Sequence, residues 1–290
     1  MTLIDPRQSA QPSAYAYLEA TNRSRAEEWL ASAAHRERVT GHVVQVAEGG
    51  ELCVFGAGNC NDLDLERLAR SFSAIHLVDL DAEALERARQ RQSPEVRAQL
   101  VLHPRLDCSG LLEHLDDWGE RFPERDVLAR GAVAAAQGIV RELGRSFEVV
   151  VSTCLLSELV TPFQRAWLTS RANWGELLNA LSAIHLATLT GSLNPGGRGV
   201  IVFDAASSRD TPALAEQHRR SGDELEEFVA EAQRAGGLSL RPDPRDLVRQ
   251  LLAPGVRSLM SDPELSEPWL ARFGPDTRLV YSLTFRQPTQ

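Results

Sequence analysis

The fold is decided by the stretch Leu52-Cys53-Val54-Phe55-Gly56-Ala57-Gly58-Asn59-Cys60-Asn61-Asp62. An apolar run ends at a Gly-x-Gly turn, and a polar residue and an acid then lead into the amphipathic segment 63–72. The order of strand, glycine turn and helix start is typical of a nucleotide-type site at the edge of a sheet. The first glycine lets the backbone turn sharply, and the second removes a Cβ where a ligand would approach. The glycine pair alone does not say which ligand.

Apolar runs alternate with helical patterns along the rest of the chain, which predicts a parallel sheet with helices on both faces. Strands are expected at 51–55, 74–78, 98–103, 147–152 and 199–203. Helices are expected at 13–39, 82–92, 111–120, 127–143, 174–190 and 211–235. A turn is predicted at 193–197, and two apolar segments around Gly274-Pro275 predict a C-terminal hairpin at 268–285.

Charge and composition exclude several functions. The net charge is −9 over 290 residues, which argues against broad nucleic-acid binding. All cations are arginines, so a Schiff-base lysine and a phosphate-loop lysine are both impossible. The N-terminal segment 1–13 is polar and has no hydrophobic signal region, and no apolar run reaches the ~20 residues of a membrane span. We therefore expect a cytoplasmic protein.

Polar residues follow four predicted strands, and in an open α/β sheet these strand ends form the ligand crevice. Strand one is followed by Gly56, Gly58 and Asn59, and strand two ends in Asp79. Strand three is followed by Asp107-Cys108, and strand four leads into Ser152-Thr153-Cys154. One carboxylate for a ribose and a second for an adenine amino group describe an adenosine pocket.

With these residues the chain resembles the class I S-adenosylmethionine-dependent methyltransferases over roughly residues 51–285. The resemblance implies an α/β fold: a doubly wound, mostly parallel seven-stranded sheet with a C-terminal antiparallel hairpin. It implies a helical cap at 1–45 followed by a Rossmann-like methyltransferase domain at 46–290, with S-adenosylmethionine as the cofactor. The cofactor contacts it implies are Gly56, Gly58, Asn59, Asp79, Leu80, Asp107, Cys108, Ser152 and Thr153.

The glycine turn departs from the family pattern at two positions. The usual acid two residues before the first glycine is Val54, and the third glycine is replaced by Cys60. Asn59, Asn61 or Asp62 would then hold the methionine end, although Asp62 is equally well explained as the cap of the next helix. A nicotinamide dehydrogenase is the structural rival, but its fingerprint needs Gly or Ala at Asn61, and Asp62 would repel a pyrophosphate.

The acceptor side of the site is less well defined. Glu158 is the candidate general base or acceptor-orienting residue, with a carboxylate of a first helical turn as the alternative. His185 is expected in the core. Cys60, Cys108 and Cys154 are expected to be buried thiols, and no metal site is predicted. The expected acceptor is a small molecule, with a protein or peptide second; a non-catalytic module that binds S-adenosylmethionine or a nucleotide is the alternative.

Overall fold

A computed structural model describes residues 10–114, 124–166, 174–217, 219–240, 242–251 and 260–289. Its strands are β1 (Glu51–Phe55), β2 (Ala74–Asp79), β3 (Leu100–Pro104), β4 (Phe147–Thr153), β5 (Leu193–Ser207), β6 (Ser261–Leu265), β7 (Trp269–Phe273) and β8 (Asp276–Arg286). They form one sheet in the order β3-β2-β1-β4-β5-β8-β6, and β7 pairs with β8 beside this path.

The helices that flank the sheet alternate with its strands along the chain. In chain order they are α1 (Ala10–Ser24), α2 (Ala33–Gln45), α3 (Leu65–Leu68), α4 (Ala82–Gln90), α5 (Pro94–Gln99), α6 (Arg125–Leu143), α7 (Leu155–Ala166), α8 (Trp174–Gly191), α9 (Asp223–Arg234) and α10 (Pro244–Leu251). Two short 3-10 helices lie at Leu112–His114 and Pro212–Gln217.

The sheet separates two hydrophobic cores because side chains alternate between its faces. On β1, Cys53 and Phe55 belong to one core, whereas Leu52 and Val54 belong to the other. All four are completely buried. A strand that buries both faces reads as a continuous apolar run, as this one does.

The strand directions confirm the expected fold class. The strands β1 to β5 pair in parallel, whereas β8 runs antiparallel between β5 and β6. The hairpin of β7 and β8 also forms as expected. The sheet is the expected doubly wound, mostly parallel one with an antiparallel C-terminal part, and it has eight strands in the described part where seven were expected.

The prediction of a turn at 193–197 was wrong, because this segment lies inside β5. Phe147 pairs with Leu193, but the next pair joins Val149 to Arg198, so residues 194–197 bulge out of the ladder. The Gly196 N–H donates to the carbonyl of Gln287 at 3.0 Å, which keeps the bulge attached to the sheet. Turn-forming residues can therefore mark a bulge as well as a chain reversal.

The expected helix at 13–39 is two helices, α1 and α2, joined by turns at 25–32. The expected helix at 211–235 is likewise divided, into the 3-10 helix at Pro212–Gln217 and α9. Gly222, with φ 54° and ψ −135°, precedes α9 in a conformation that no helix can contain.

Three further expectations need correction. β3 begins at Leu100 instead of residue 98, because Ser93 caps α5 by accepting a hydrogen bond from the Val96 N–H. Asp62 does not cap a helix; Asp64 caps α3 by accepting from the Arg67 N–H at 3.0 Å. Of the expected helix at 111–120, residues 115–120 lie outside the described residues.

Among the described helices, none is both long and apolar enough to cross a lipid bilayer.

Candidate functional site

A cleft lies at the carboxyl ends of β1 to β4, where the sheet order changes direction between β1 and β4. It encloses about 1060 Å³ up to and including its open mouth. Nine of the ten residues that the sequence indicated for the site line it: Gly56, Gly58, Asn59, Asp79, Leu80, Asp107, Cys108, Thr153 and Glu158. One continuous cleft therefore collects residues that are up to about a hundred positions apart in the chain.

Ser152 is the exception, because its side chain faces the core. Its hydroxyl lies 2.8 Å from Nε2 of His185 on α8, and both side chains are buried. Burial lowers the pKa of His185 to about 4. The histidine is thus a neutral core residue, as expected, and Ser152 serves packing between β4 and α8.

Both glycines of the turn adopt positive φ, 68° at Gly56 and 47° at Gly58. A Cβ at Gly56 would lie 2.8 Å from Cδ1 of Leu155, so any other residue there would collide with this side chain at the start of α7. A Cβ at Gly58 would lie 3.2 Å from Oδ1 of Asn22. The turn needs glycine for its backbone conformation and for the close approach of both helices.

Asp79 ends β2 beside this turn, and backbone donors hold both of its oxygens. Oδ2 accepts from the Gly58 N–H at 2.8 Å, and Oδ1 accepts from the Asp81 N–H at 2.9 Å. Burial raises the pKa of Asp79 to about 6, although these hydrogen bonds favour the ionised form. The carboxylate is thereby fixed in direction at the floor of the cleft.

Asp107 organises the turn after β3. Its Oδ1 accepts from the N–H and hydroxyl of Ser109 at 2.8 and 2.7 Å, and its Oδ2 accepts from the Leu112 N–H at 2.9 Å. Burial raises the pKa of Asp107. The carboxylate fixes the loop that forms this wall of the cleft, next to Cys108.

Residues of the N-terminal segment cover the cleft; the sequence predicted a helical cap at 1–45 but not the contacts that hold it. The Asn59 amide donates to the Asn22 carbonyl at 2.7 Å, and the Asn61 amide donates to the Arg25 carbonyl at 2.8 Å. Arg25 also forms an ion pair with Glu158 at 3.1 Å. Two asparagines of the glycine turn thus attach the end of α1 to the site, and their spacing in Asn59-Cys60-Asn61 is the only sequence signal for this contact.

Glu158 lies in the first turn of α7 at the mouth of the cleft, about a quarter exposed and paired with Arg25. The segment that contains it is a helix, so a carboxylate of the first helical turn and a residue of the site are compatible descriptions of Glu158. The helix begins after Cys154, which has φ 50° and donates its N–H to the Val202 carbonyl at 2.8 Å.

The described cysteines are all buried free thiols. Burial raises the pKa of Cys60 to about 12 and raises those of Cys108 and Cys154. Such thiols are poor nucleophiles at neutral pH.

Cys154 lies near His35 and Asp62, and the potential ligand atoms of the three side chains are all within 4.8 Å of one another. However, Nδ1 of His35 accepts a hydrogen bond from the Trp269 indole N–H at 3.0 Å. The neutral ring therefore carries its proton on Nε2 and presents no lone pair to a metal.

Arg278 and Phe273 of the C-terminal hairpin also line the cleft, which the sequence did not predict. Arg278 donates to Asp204 at 3.0 Å and to Asp276 at 3.1 Å. Burial alone would lower the pKa of Arg278, but the carboxylates of Asp204 and Glu158 raise it. In the sequence, Arg278 is marked only by its position directly before the buried run that begins at Leu279.

No protein-family model matches the sequence. No curated protein matches it either. Solved structures of similar shape include an rRNA methylase from Streptococcus thermophilus, with 11% identity, 88% of this chain and 97% of that chain covered, and a TM-score of 0.40. They also include a complex of DhpI with SAM and HEP, with 13% identity, 95% of each chain covered and a TM-score of 0.41.

A third similar structure is the phosphoethanolamine N-methyltransferase 2 of Haemonchus contortus in complex with S-adenosyl-L-methionine. It has 12% identity, 88% of this chain and 52% of that chain covered, and a TM-score of 0.43. These likenesses are too distant to assign an activity. The sheet order and the position of the cleft agree with the doubly wound fold expected from the sequence, and the glycine turn departs from the family pattern at Val54 and Cys60.

Proposed function

We propose that this chain is an S-adenosylmethionine-dependent methyltransferase acting on a small-molecule acceptor. The observation that carries the proposal is the position of Asp79, whose carboxylate is fixed by the Gly58 N–H at the floor of the cleft. A carboxylate that ends the second strand beside a glycine turn is placed to accept hydrogen bonds from two ribose hydroxyls.

The cleft fits the other parts of this cofactor. Gly58 leaves open the space beside Asp79 Oδ2, which a Cβ would approach to 3.9 Å. Leu80, Leu106 and Leu112 offer apolar surface for an adenine ring between Asp79 and Asp107. The cofactor, when bound, supplies an activated methyl group on a sulfonium. The protein's task is then to position the acceptor and receive its proton.

A nicotinamide dinucleotide fits the cleft less well. Its pyrophosphate needs free N–H groups at a helix start. The helix after the glycine turn, α3, has four residues, and Asp64 already caps it. The Asp62 carboxylate lines the cleft just before this point and adds repulsion.

Calorimetric titration with S-adenosylhomocysteine tests the cofactor assignment. We expect binding to the wild type and its loss in Asp79→Ala. The variant Glu95→Gln, at an exposed carboxylate of α5 away from the cleft, is the matched control and should bind normally. Normal affinity of Asp79→Ala would refute the assignment. Mass spectrometry of ligands that co-purify with the protein gives an independent reading.

One observation favours the alternative of a binding module without catalysis, namely that Arg25 already engages Glu158. If Glu158 is the base, Glu158→Gln slows turnover more than it weakens cofactor binding. Equal losses in both would assign Glu158 a structural role. A cleft that binds S-adenosylhomocysteine and admits no acceptor would support the binding module.

A further inference from the structure

One face of α1 forms part of the wall of the cleft. Leu18, Thr21 and Asn22 of this helix line the cleft, and so does Arg25 just after its end. Their spacing of three and four residues places them on a single helical face. The helix also packs against α4 and α7. The site therefore has a wall that does not belong to the sheet.

The end of α1 is held in place by side chains of the glycine turn and of α4. The Asn59 amide, which donates to the Asn22 carbonyl at 2.7 Å, is itself oriented by Arg87. The Nε–H of this arginine donates to Oδ1 of the asparagine at 3.0 Å. Arg91, at the end of α4, orients the Asn61 amide in the same way at 3.2 Å. The backbone at Asn22 therefore has a defined position over the turn.

The side chain of Asn22 borders the space above Gly58, which it shares with Asp79. A Cβ at Gly58 would lie 3.2 Å from Oδ1 of Asn22 and 3.9 Å from Oδ2 of Asp79. The Asn22 side chain is partly exposed, and its carboxamide forms no hydrogen bond with any of the described residues. It can therefore turn to meet a ligand in the cleft while its backbone stays fixed.

We propose that Asn22 binds a ribose hydroxyl of the cofactor opposite Asp79, so that α1 is part of the cofactor site. The inference rests on the proposed function and adds a binding residue to it. An ionised carboxylate can only accept hydrogen bonds. A ribose hydroxyl that donates to Asp79 therefore still has lone pairs to share, and the amide N–H of Asn22 is the donor on the other side of Gly58.

This contact also connects ligand binding to the cover. Asn22 belongs to α1, whereas Asp79 belongs to the sheet at the end of β2. A ligand that bonds to both residues stabilises the closed position of α1, because the Asn22 contact exists only while the helix lies over the cleft.

Calorimetric titration of the full-length protein with S-adenosylhomocysteine is the first test. Asn22→Ala should weaken binding about fivefold, because one hydrogen bond is lost. Alanine suits a helix, so this variant should fold normally. Asn22→Asp should weaken binding further, because a second carboxylate cannot donate and repels Asp79. The matched control is Arg23→Ala, at the next residue of α1, which pairs only with the exposed Glu83 and should bind normally.

A second measurement separates a direct contact from an indirect effect on α1. Adenosine, 2′-deoxyadenosine and 3′-deoxyadenosine are compared as competitors of S-adenosylhomocysteine, since each deoxynucleoside lacks one ribose hydroxyl. One of the two should lack the hydroxyl that Asn22 contacts. For this nucleoside, the loss of affinity relative to adenosine should be about fivefold smaller in Asn22→Ala than in the wild type.

Equal losses in the wild type and Asn22→Ala for both deoxynucleosides would overturn the inference. So would unchanged binding of S-adenosylhomocysteine to Asn22→Ala. Tighter binding to this variant would overturn it too, and would mean that the Asn22 side chain occupies the place of the ligand. Failure of the wild type to bind S-adenosylhomocysteine would refute the proposed function itself, so the two failures are distinguishable.

Discussion

At the scale of single residues, Asp79 shows how one carboxylate connects folding and ligand binding. The same burial that fixes it against Gly58 and Asp81 raises its pKa to about 6. A carboxyl group with a raised pKa is protonated below that value in the folded protein. The ionised form accepts hydrogen bonds from a ribose better than the protonated form does. The affinity for an adenosyl ligand should therefore depend on pH in the acidic range.

We expect the affinity for S-adenosylhomocysteine to be constant above about pH 7 and to fall about tenfold by pH 5, one unit below the pKa of Asp79. Calorimetry across this range measures the change. The variant Asp79→Asn should bind weakly at every pH with a flat profile, because it cannot ionise. The same slope in the variant and the wild type would place the titrating group elsewhere.

At the scale of elements, the end of α1 acts as a cover over the cleft. It is held by two asparagine amides of the glycine turn and by the Arg25–Glu158 pair. Both members of this pair are partly exposed, so the pair contributes at most about 1 kcal/mol to stability. Its position above the cleft gives it more influence on ligand exchange than on folding.

Arg25→Met should therefore speed the dissociation of S-adenosylhomocysteine several-fold while changing the free energy of unfolding by less than about 1 kcal/mol. Stopped-flow displacement measures the first quantity and urea denaturation the second. The matched control is Arg89→Met, which removes an exposed ion pair with Glu86 on α4 and should affect neither by more than this. Unchanged dissociation in Arg25→Met would mean that the cover opens elsewhere.

The sequence predicted the elements of the sheet well, because β1 and β4 are buried on both faces and read as continuous apolar runs. It failed where tertiary contacts decide the backbone. Residues 194–197 carry turn chemistry but form a bulge, since β4 and β8 hold the chain on both sides. The cleft floor was predictable because strand ends converge at one edge. The contributions of Arg25 and Arg278 could not be predicted. Both residues lie in segments that are distant in sequence from the strand ends, and no local pattern shows where these segments pack.

At the scale of the whole molecule, a buried charge network joins β5 to the C-terminal strand β8. Arg278 on β8 bonds to Asp204 on β5 and to Asp276, and Ser157 of α7 donates to Asp204 at 2.6 Å. The side chains of this arginine and both aspartates are at most 10% exposed. The network thus connects the antiparallel strand β8 to the wall of the cleft.

Arg278→Met should destabilise the protein by about 3–5 kcal/mol, because it leaves the carboxylate of Asp204 buried without its cation and leaves Asp276 only the exposed Arg209 at 3.7 Å. This is a large part of the roughly 5–15 kcal/mol that such a domain has. Urea denaturation should show the loss, whereas Arg198→Met, which breaks the more exposed pair with Glu48, should cost less than about 1 kcal/mol. Asp204→Asn in the Arg278→Met background should recover part of the loss, because it removes one of the unpaired charges. Equal small losses in Arg278→Met and Arg198→Met would show that the network contributes no more than a surface pair.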